Sequence, residues 1–177
     1  MPALIIVPYD PTWPEMFEAE AARIRKALGD LACRVDHVGS TGVPGLGAKP
    51  VIDIQVSVRQ LRPMTTYMIP LHDLGYTHSP HPDDVDYPFF HRPAEWPHTH
   101  HIHVCQQGSV EERRHLAFRD SLRGHPAVAA DYCAVKLSVA SHFDADSFES
   151  RNAYADAKCS FIEPIVRRAL TEGYGRL

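Results

Sequence analysis

Residues 36–56 read DHVGSTGVPGLGAKPVIDIQV. The glycines at 39, 42, 45 and 47 and the prolines at 44 and 50 lie between two apolar runs, and the second run carries a single acid, Asp53. A glycine-rich segment that leaves a strand lets backbone N–H groups approach an anion closely, and phosphate is the commonest biological anion with that need. Neither familiar phosphate loop is spelled here. A Walker loop requires Gly, four residues and then Gly-Lys-Ser/Thr, whereas Gly47 is followed by Ala48, and Lys49 by Pro50. A dinucleotide fingerprint opens a helix, and Gly45-Leu46-Gly47 runs instead into Ala48-Lys49-Pro50, which disfavours one.

On either side of this loop the pattern is that of strands. CRVDHVGS enters it and PVIDIQVSV leaves it. In the second strand Ile52, Ile54, Val56 and Val58 point one way, and Asp53, Gln55 and Ser57 the other, so one face is core and the other carries chemistry. Upstream, ALIIV predicts a short strand and Thr12-x-x-Glu15 a capping box, opening a helix whose apolar face is Trp13, Met16, Phe17, Ile24, Ala27, Leu28 and Leu31. Downstream, RQLRPMTTYMIPLHDLGY reads as a helix interrupted at Pro70 and stopped at Gly75. The proline-rich stretch 78–97 reads as a long loop holding Asp83, Asp84 and Asp86, with one short strand near Phe89. HTHHIHVCQ then predicts a strand with His101, His103 and Cys105 on one face and His100, Ile102 and Val104 on the other. The rest is helical: Ser109-x-x-Glu112 opens one helix, Gly124 and Pro126 stop it, a second follows, and Asp146-x-x-Glu149 opens a long last helix through Leu170. The pattern is a small mixed sheet closed by a helical C-terminal third, an α/β (α+β) fold.

A length of 177 residues fits one domain, 1–177. A formal charge of −4, with no basic stripe, argues against long nucleic acid as a partner. Cys33, Cys105, Cys133 and Cys159 form no Cys-x-x-Cys pair and read as reduced core thiols. No run of ~20 apolar residues is present, so a membrane partner is not expected and the expected location is the cytoplasm.

Several separate stretches together resemble the GrpB-like family of small bacterial proteins. They are His37-Val38-Gly39-Ser40-Thr41, Val43-Pro44-Gly45-Leu46 and Lys49-Pro50-Val51-Ile52-Asp53-Ile54, with Tyr9-Asp10-Pro11-x-Trp13, His101-Ile102-His103-Val104, Phe118-Arg119-Asp120-x-Leu122-Arg123, Tyr132-x-x-x-Lys136 and Tyr154-x-x-x-Lys158. The family is similar to a domain fused to some bacterial dephospho-CoA kinases, and its core to the nucleotidyltransferase superfamily. The resemblance implies a nucleotidyltransferase-like fold with a Gly-Ser turn for the triphosphate and two carboxylates on the following strand for divalent metals. Gly39-Ser40 and Asp53 stand at the corresponding places, but Gln55 occupies that of the second carboxylate and offers a metal only a neutral oxygen.

These parts suit phosphoryl or nucleotidyl transfer, which needs positioning and charge neutralisation more than covalent chemistry. The expected site therefore has Asp53 and Gln55 as catalytic positions. Gly39, Ser40, Thr41, Lys49, Lys136 and Lys158 are its phosphate contacts, and Asp53 with His101 and His103 its metal ligands. The expected cofactor is a divalent metal, Mg²⁺ or Mn²⁺, with Zn²⁺ open because imidazole suits it. The expected partner is a nucleotide such as ATP, or a CoA-related small molecule. Three functions remain open: a metal-dependent nucleotidyltransferase, a catalytically reduced nucleotide-binding or accessory module, and a histidine-metal hydrolase.

Overall fold

The computed structural model describes residues 5–143 and 147–175. Asp146, Ala3, Leu4 and the side chain of Asp83 lie outside the described residues. The sheet has five strands: β1 (Ala32–Val38), β2 (Ile52–Val58), β3 (Thr77–His78), β4 (Phe89–Arg92) and β5 (His100–Gln106), in the order β1-β2-β5-β4-β3. Only β2 and β5 run parallel; the other neighbours are antiparallel. The expected mixed sheet is present, and β3 adds a short edge strand within the segment expected to be loop.

Strand register decides where chemistry can sit. Asp53 pairs with Val38 on one side and His101 on the other, and His101 pairs in turn with His91. Side chains in one transverse row share a face, so the acid and the histidine strand are neighbours because of this pairing. The opposite face, with Ile52, Ile54, Val56, Ile102, Val104 and Phe90, is buried against α1 (Trp13–Leu28) and α2 (Thr65–Asp73), which contribute Trp13, Phe17, Ile24, Tyr67 and Leu71. On the chemical side α3 (Val110–Gly124) packs against β5 and β1, and α4 (Pro126–Ala140), α5 (Phe148–Ala157) and α6 (Cys159–Glu172) pack on α3 and on one another. Val43 and Leu46 of the glycine loop pack with Leu122 and Tyr132, so the loop is held between sheet and helices. The cysteines are free thiols, but of the four expected in the core Cys105 alone is buried; Cys33 and Cys133 are half-buried and Cys159 is exposed. Among the described residues no helix is long and apolar enough to cross a membrane.

Local expectations differ from the structure at several places. The described part of ALIIV forms only an isolated bridge, Val7 to Ala48, and the helix expected from Arg59 begins only at Thr65, since Pro63 disfavours helix at the residue before it. Thr12 does not cap α1 through its side chain; its N–H and hydroxyl both donate to Asp10 Oδ1, at 2.8 and 2.7 Å, so Asp10 organises the turn. Met16 and Leu31 are exposed at 41% and 42%, Leu31 because a short 3₁₀ turn, Gly29–Leu31, departs from the line of α1. Pro70 does not interrupt α2, since the carbonyl deprived of its N–H partner belongs to exposed Thr66. The long last helix is two helices, α5 and α6, joined at Lys158 with neither glycine nor proline at the join.

Ser109 does cap α3, its hydroxyl accepting from Glu112 N–H at 3.1 Å. Ser109→Ala should lower unfolding stability by about 1 kcal/mol in urea denaturation, and Thr12→Ala by less.

Candidate functional site

The glycine loop, the polar end of the central strands and α3–α6 enclose a cavity of about 870 Å³. Gly39 (φ +65°) turns the chain out of β1 into a 3₁₀ turn at Ser40–Gly42. A Cβ on Gly39 would stand 2.3 Å from Asp53 Oδ2, so glycine is needed for the loop to lie against the acid. This close approach is to a carboxylate of the chain itself.

Cations on the C-terminal helices hold the loop by its carbonyls. Arg119 Nη1 donates to His37 O at 3.1 Å, Arg123 Nε and Nη2 donate to Gly42 O at 2.9 and 2.6 Å, and Lys136 Nζ donates to Gly47 O. Inside the loop, Thr41 donates its hydroxyl proton to Val51 O at 3.2 Å and accepts from His37 Nε2 at 3.0 Å. Thr41 is buried, and these two bonds occupy its hydroxyl. His37 is stacked on Phe17, and burial pushes its pKa down to about 4, so it is neutral with the proton on Nε2. Ser40 is the loop's more accessible hydroxyl and pairs with the Tyr132 phenol.

Asp53 Oδ1 accepts from His101 Nδ1 at 3.1 Å, and His101 Nε2 is 3.1 Å from His98 Nδ1. Burial acts to raise the Asp53 pKa, but the His101 hydrogen bond and the charges of His101, His103 and Lys49 outweigh it and hold the carboxyl at about 2. His103 lies on the same face, stacked on Tyr87, which also stacks on His115, and the centroids of the two imidazoles are 6.1 Å apart. Burial pushes His103 down to about 3, and among the described residues its Nδ1 has no hydrogen-bond partner.

Lys49, Lys136 and Lys158 line the same cavity. Lys136 and Lys158 sit 4.7 and 4.1 Å from the ring centroids of Tyr132 and Tyr154, each one helical turn earlier, and Lys49 is 5.1 Å from that of Tyr154. Among the described residues none of the three forms an ion pair with a carboxylate. Burial lowers the pKa of all three, to about 8 for Lys136 and about 7 for Lys158, where the charges of Lys49 and Lys136 add to the effect.

Every expected site residue except Gln55 therefore borders one space. Gln55 shares Asp53's face of β2 but lies fully buried, its Nε2 donating to Glu112 O of α3 at 3.3 Å. Asp84 pins its own loop, accepting from His78 Nε2 at 3.0 Å and His81 N at 3.1 Å, and Asp86 is exposed. Among the described residues no group of three His, Cys, Asp or Glu is placed to hold a metal ion.

A family model described as GrpB protein matches residues 3–168. The chain belongs to the GrpB family. Its relatives there include a UPF0157 protein of Halalkalibacterium halodurans, 41% identical over 94% of this chain and 83% of that one. A dephospho-CoA kinase of Mycolicibacterium paratuberculosis is 34% identical over 93% of this chain but only 45% of the kinase. Among solved structures, the conserved protein GrpB from Enterococcus faecalis superposes with a TM-score of 0.83 at 33% identity, covering 95% of this chain and 98% of that one. The Cid1 poly(U) polymerase, with Mg and 3′-dATP bound, superposes at 0.51 with 13% identity over 75% of this chain and 41% of that one, which shows a shared fold. This GrpB chain is thus a mixed α/β protein with a nucleotidyltransferase-like architecture.

Several residues of the site had no role assigned from sequence. Trp96 lies in the stretch read as loop, where no periodicity marks a direction, and His98 opens the stretch read as a strand but precedes β5, which begins at His100. Arg119 and Arg123 stand at helical spacing, a signal that they share a face, but which face meets the loop is a tertiary fact.

Two measurements check this geometry. Gly45 (φ +80°) has open space where a Cβ would go, so Gly45→Ala should cost about 1–2 kcal/mol for its backbone alone. Gly39→Ala adds the collision with Asp53 and should cost more than that in the same chemical denaturation. The depressed pKa of His37 gives a pH dependence: stability is fully present above its ordinary 6.5 and declines as pH falls towards about 4, because only the unfolded chain takes up the proton in that window. Urea denaturation at pH 7.5 and 5 should show that loss, and His37→Gln should reduce it without abolishing it, because His98 and His103, both pushed down to about 3, contribute a loss of stability over the same window.

Proposed function

We propose that the cavity binds a nucleoside triphosphate, with the phosphates against the Ser40 turn and the three lysines. The observation that carries this reading is the convergence of Lys49, Lys136 and Lys158, desolvated and without carboxylate partners, on one cavity beside that turn. Buried cations without counter-ions are unfavourable unless a ligand supplies the charge. The nucleotidyltransferase-like fold supports a nucleotide as that ligand, and the likeness to dephospho-CoA kinases supports a CoA-related molecule of the same phosphate chemistry. Trp96, Tyr87 and Phe89 on the cavity wall give a base somewhere to rest.

Binding is favoured over transfer. In the transfer reading Asp53 and the residue at 55 hold divalent metals for in-line displacement, but Gln55 carries no charge and lies fully buried away from the cavity wall, with its Nε2 on Glu112 O of α3. A metal-holding hydrolase is disfavoured by the same donor set, since both ring nitrogens of His101 are engaged. Of the expected metal ligands Asp53 is the one carboxylate, and among the described residues His103 Nδ1 is buried without a hydrogen-bond partner; of the other carboxylates on the cavity wall, Glu111 and Glu163 pair with Arg114, and Asp156 is exposed. These residues do not fit a two-ion centre.

Thermal shift with ATP, GTP, CTP, UTP and CoA tests the reading. At least one should raise Tm by several degrees. Ser40→Ala should then weaken binding by about 1.5–3 kcal/mol, as for a hydrogen bond to a charged group, and Lys136→Met by at least as much. No shift from any of these compounds, with or without Mg²⁺ or Mn²⁺, contradicts it.

A further inference from the structure

The fold implies divalent metals, and the residues present do not hold them well. What replaces their charge is a question the cavity itself answers. A nucleotidyl-transfer site neutralises a triphosphate largely through cations held by carboxylates. Here the strand carries one carboxylate, Asp53, whose Oδ1 already accepts from His101 Nδ1 and whose Oδ2 lies against Gly39, while Glu111 and Glu163 on the cavity wall are paired with Arg114. The paired row on β5 offers imidazoles, which are poor partners for Mg²⁺. In the same space stand three ammonium groups with no carboxylate partner among the described residues, close enough that Lys49 and Lys136 lower the pKa of Lys158. Those charges oppose entry of a dication and repel one another, and an arriving polyanion relieves both conditions.

Resting on the nucleotide-binding reading, we infer that this protein takes the polyphosphate group free of metal, with Lys49, Lys136 and Lys158 supplying the positive charge that divalent ions supply elsewhere in the fold. The site selects the uncomplexed triphosphate, and Mg²⁺ acts as a competitor by sequestering it. Asp53, as the negative charge inside this lysine field, then opposes the ligand and serves to balance the empty site.

The discriminating experiment is calorimetric titration of the full chain with ATP and with inorganic tripolyphosphate, first in excess EDTA and then over a Mg²⁺ series. The two ligands separate recognition of the phosphates from recognition of the base. Both should bind in EDTA, with at least tenfold loss of apparent affinity once Mg²⁺ complexes the ligand. Lys49→Met and Lys158→Met should each weaken binding in EDTA tenfold or more. Asp53→Asn, which keeps the shape and leaves an oxygen for His101, should tighten it. Folding of each variant is checked by urea denaturation, and the wild-type EDTA–Mg²⁺ comparison stands whatever the variants do. Binding that appears only with Mg²⁺ or Mn²⁺, or that Asp53→Asn abolishes, overturns the inference and leaves the nucleotide reading intact. No binding of either ligand in any condition overturns both.

Discussion

The parallel pairing of β2 with β5 is the constraint on which the rest depends. It sets Asp53 opposite His101 and Gln55 opposite His103, and the antiparallel pairing of β4 carries the row on to His91. A slip of one residue would exchange the two faces, burying the acid among Ile54 and Ile102 and turning the core residues towards the cavity. That register is held by the apolar face, where Ile52, Ile54, Ile102 and Val104 are fully buried under α1 and α2. Packing on one side of the sheet thus fixes chemistry on the other.

The glycine loop depends on both layers. Gly39 lets it rest against Asp53, and Arg119, Arg123 and Lys136 hold three of its carbonyls from the helical side. The helices that complete the cavity therefore also shape the loop, and Lys136 contributes to both. Arg119 spends part of its charge on Asp120, bound through Nε at 2.7 Å. Among the described residues Lys49 and Lys158 have no comparable hydrogen-bond partner, whereas Lys136 serves the loop and the cavity together.

Much of this was legible in the sequence, for identifiable reasons. Alternation in residues 52–58 and 100–106 announces strands and their faces, because a strand's period of two is short and local. Tyr132 with Lys136, and Tyr154 with Lys158, stand four residues apart and so share a helix face, which the cation–π distances bear out. What local pattern could not reveal was decided by tertiary contact. Gln55 has Asp53's parity, yet α3 covers its part of the face and not that of Asp53. Thr41 has the composition of a phosphate ligand, but its hydroxyl is claimed by His37 and Val51. Thr12 fits a capping box, but Asp10 outcompetes the helix for its hydroxyl. The join at Lys158 has no breaker residue, and it sets apart the helix that carries Tyr154 from the one that carries Phe161.

The central claim is that the space between the Ser40 turn and the three lysines is a polyphosphate site. A crystal structure of the protein with a non-hydrolysable ATP analogue tests it most directly. The account predicts phosphate oxygens within hydrogen-bond distance of Ser40 and of at least two of Lys49, Lys136 and Lys158. Phosphates seated elsewhere on the molecule, or an analogue held in the cavity with its phosphates turned away from the lysines, would contradict it.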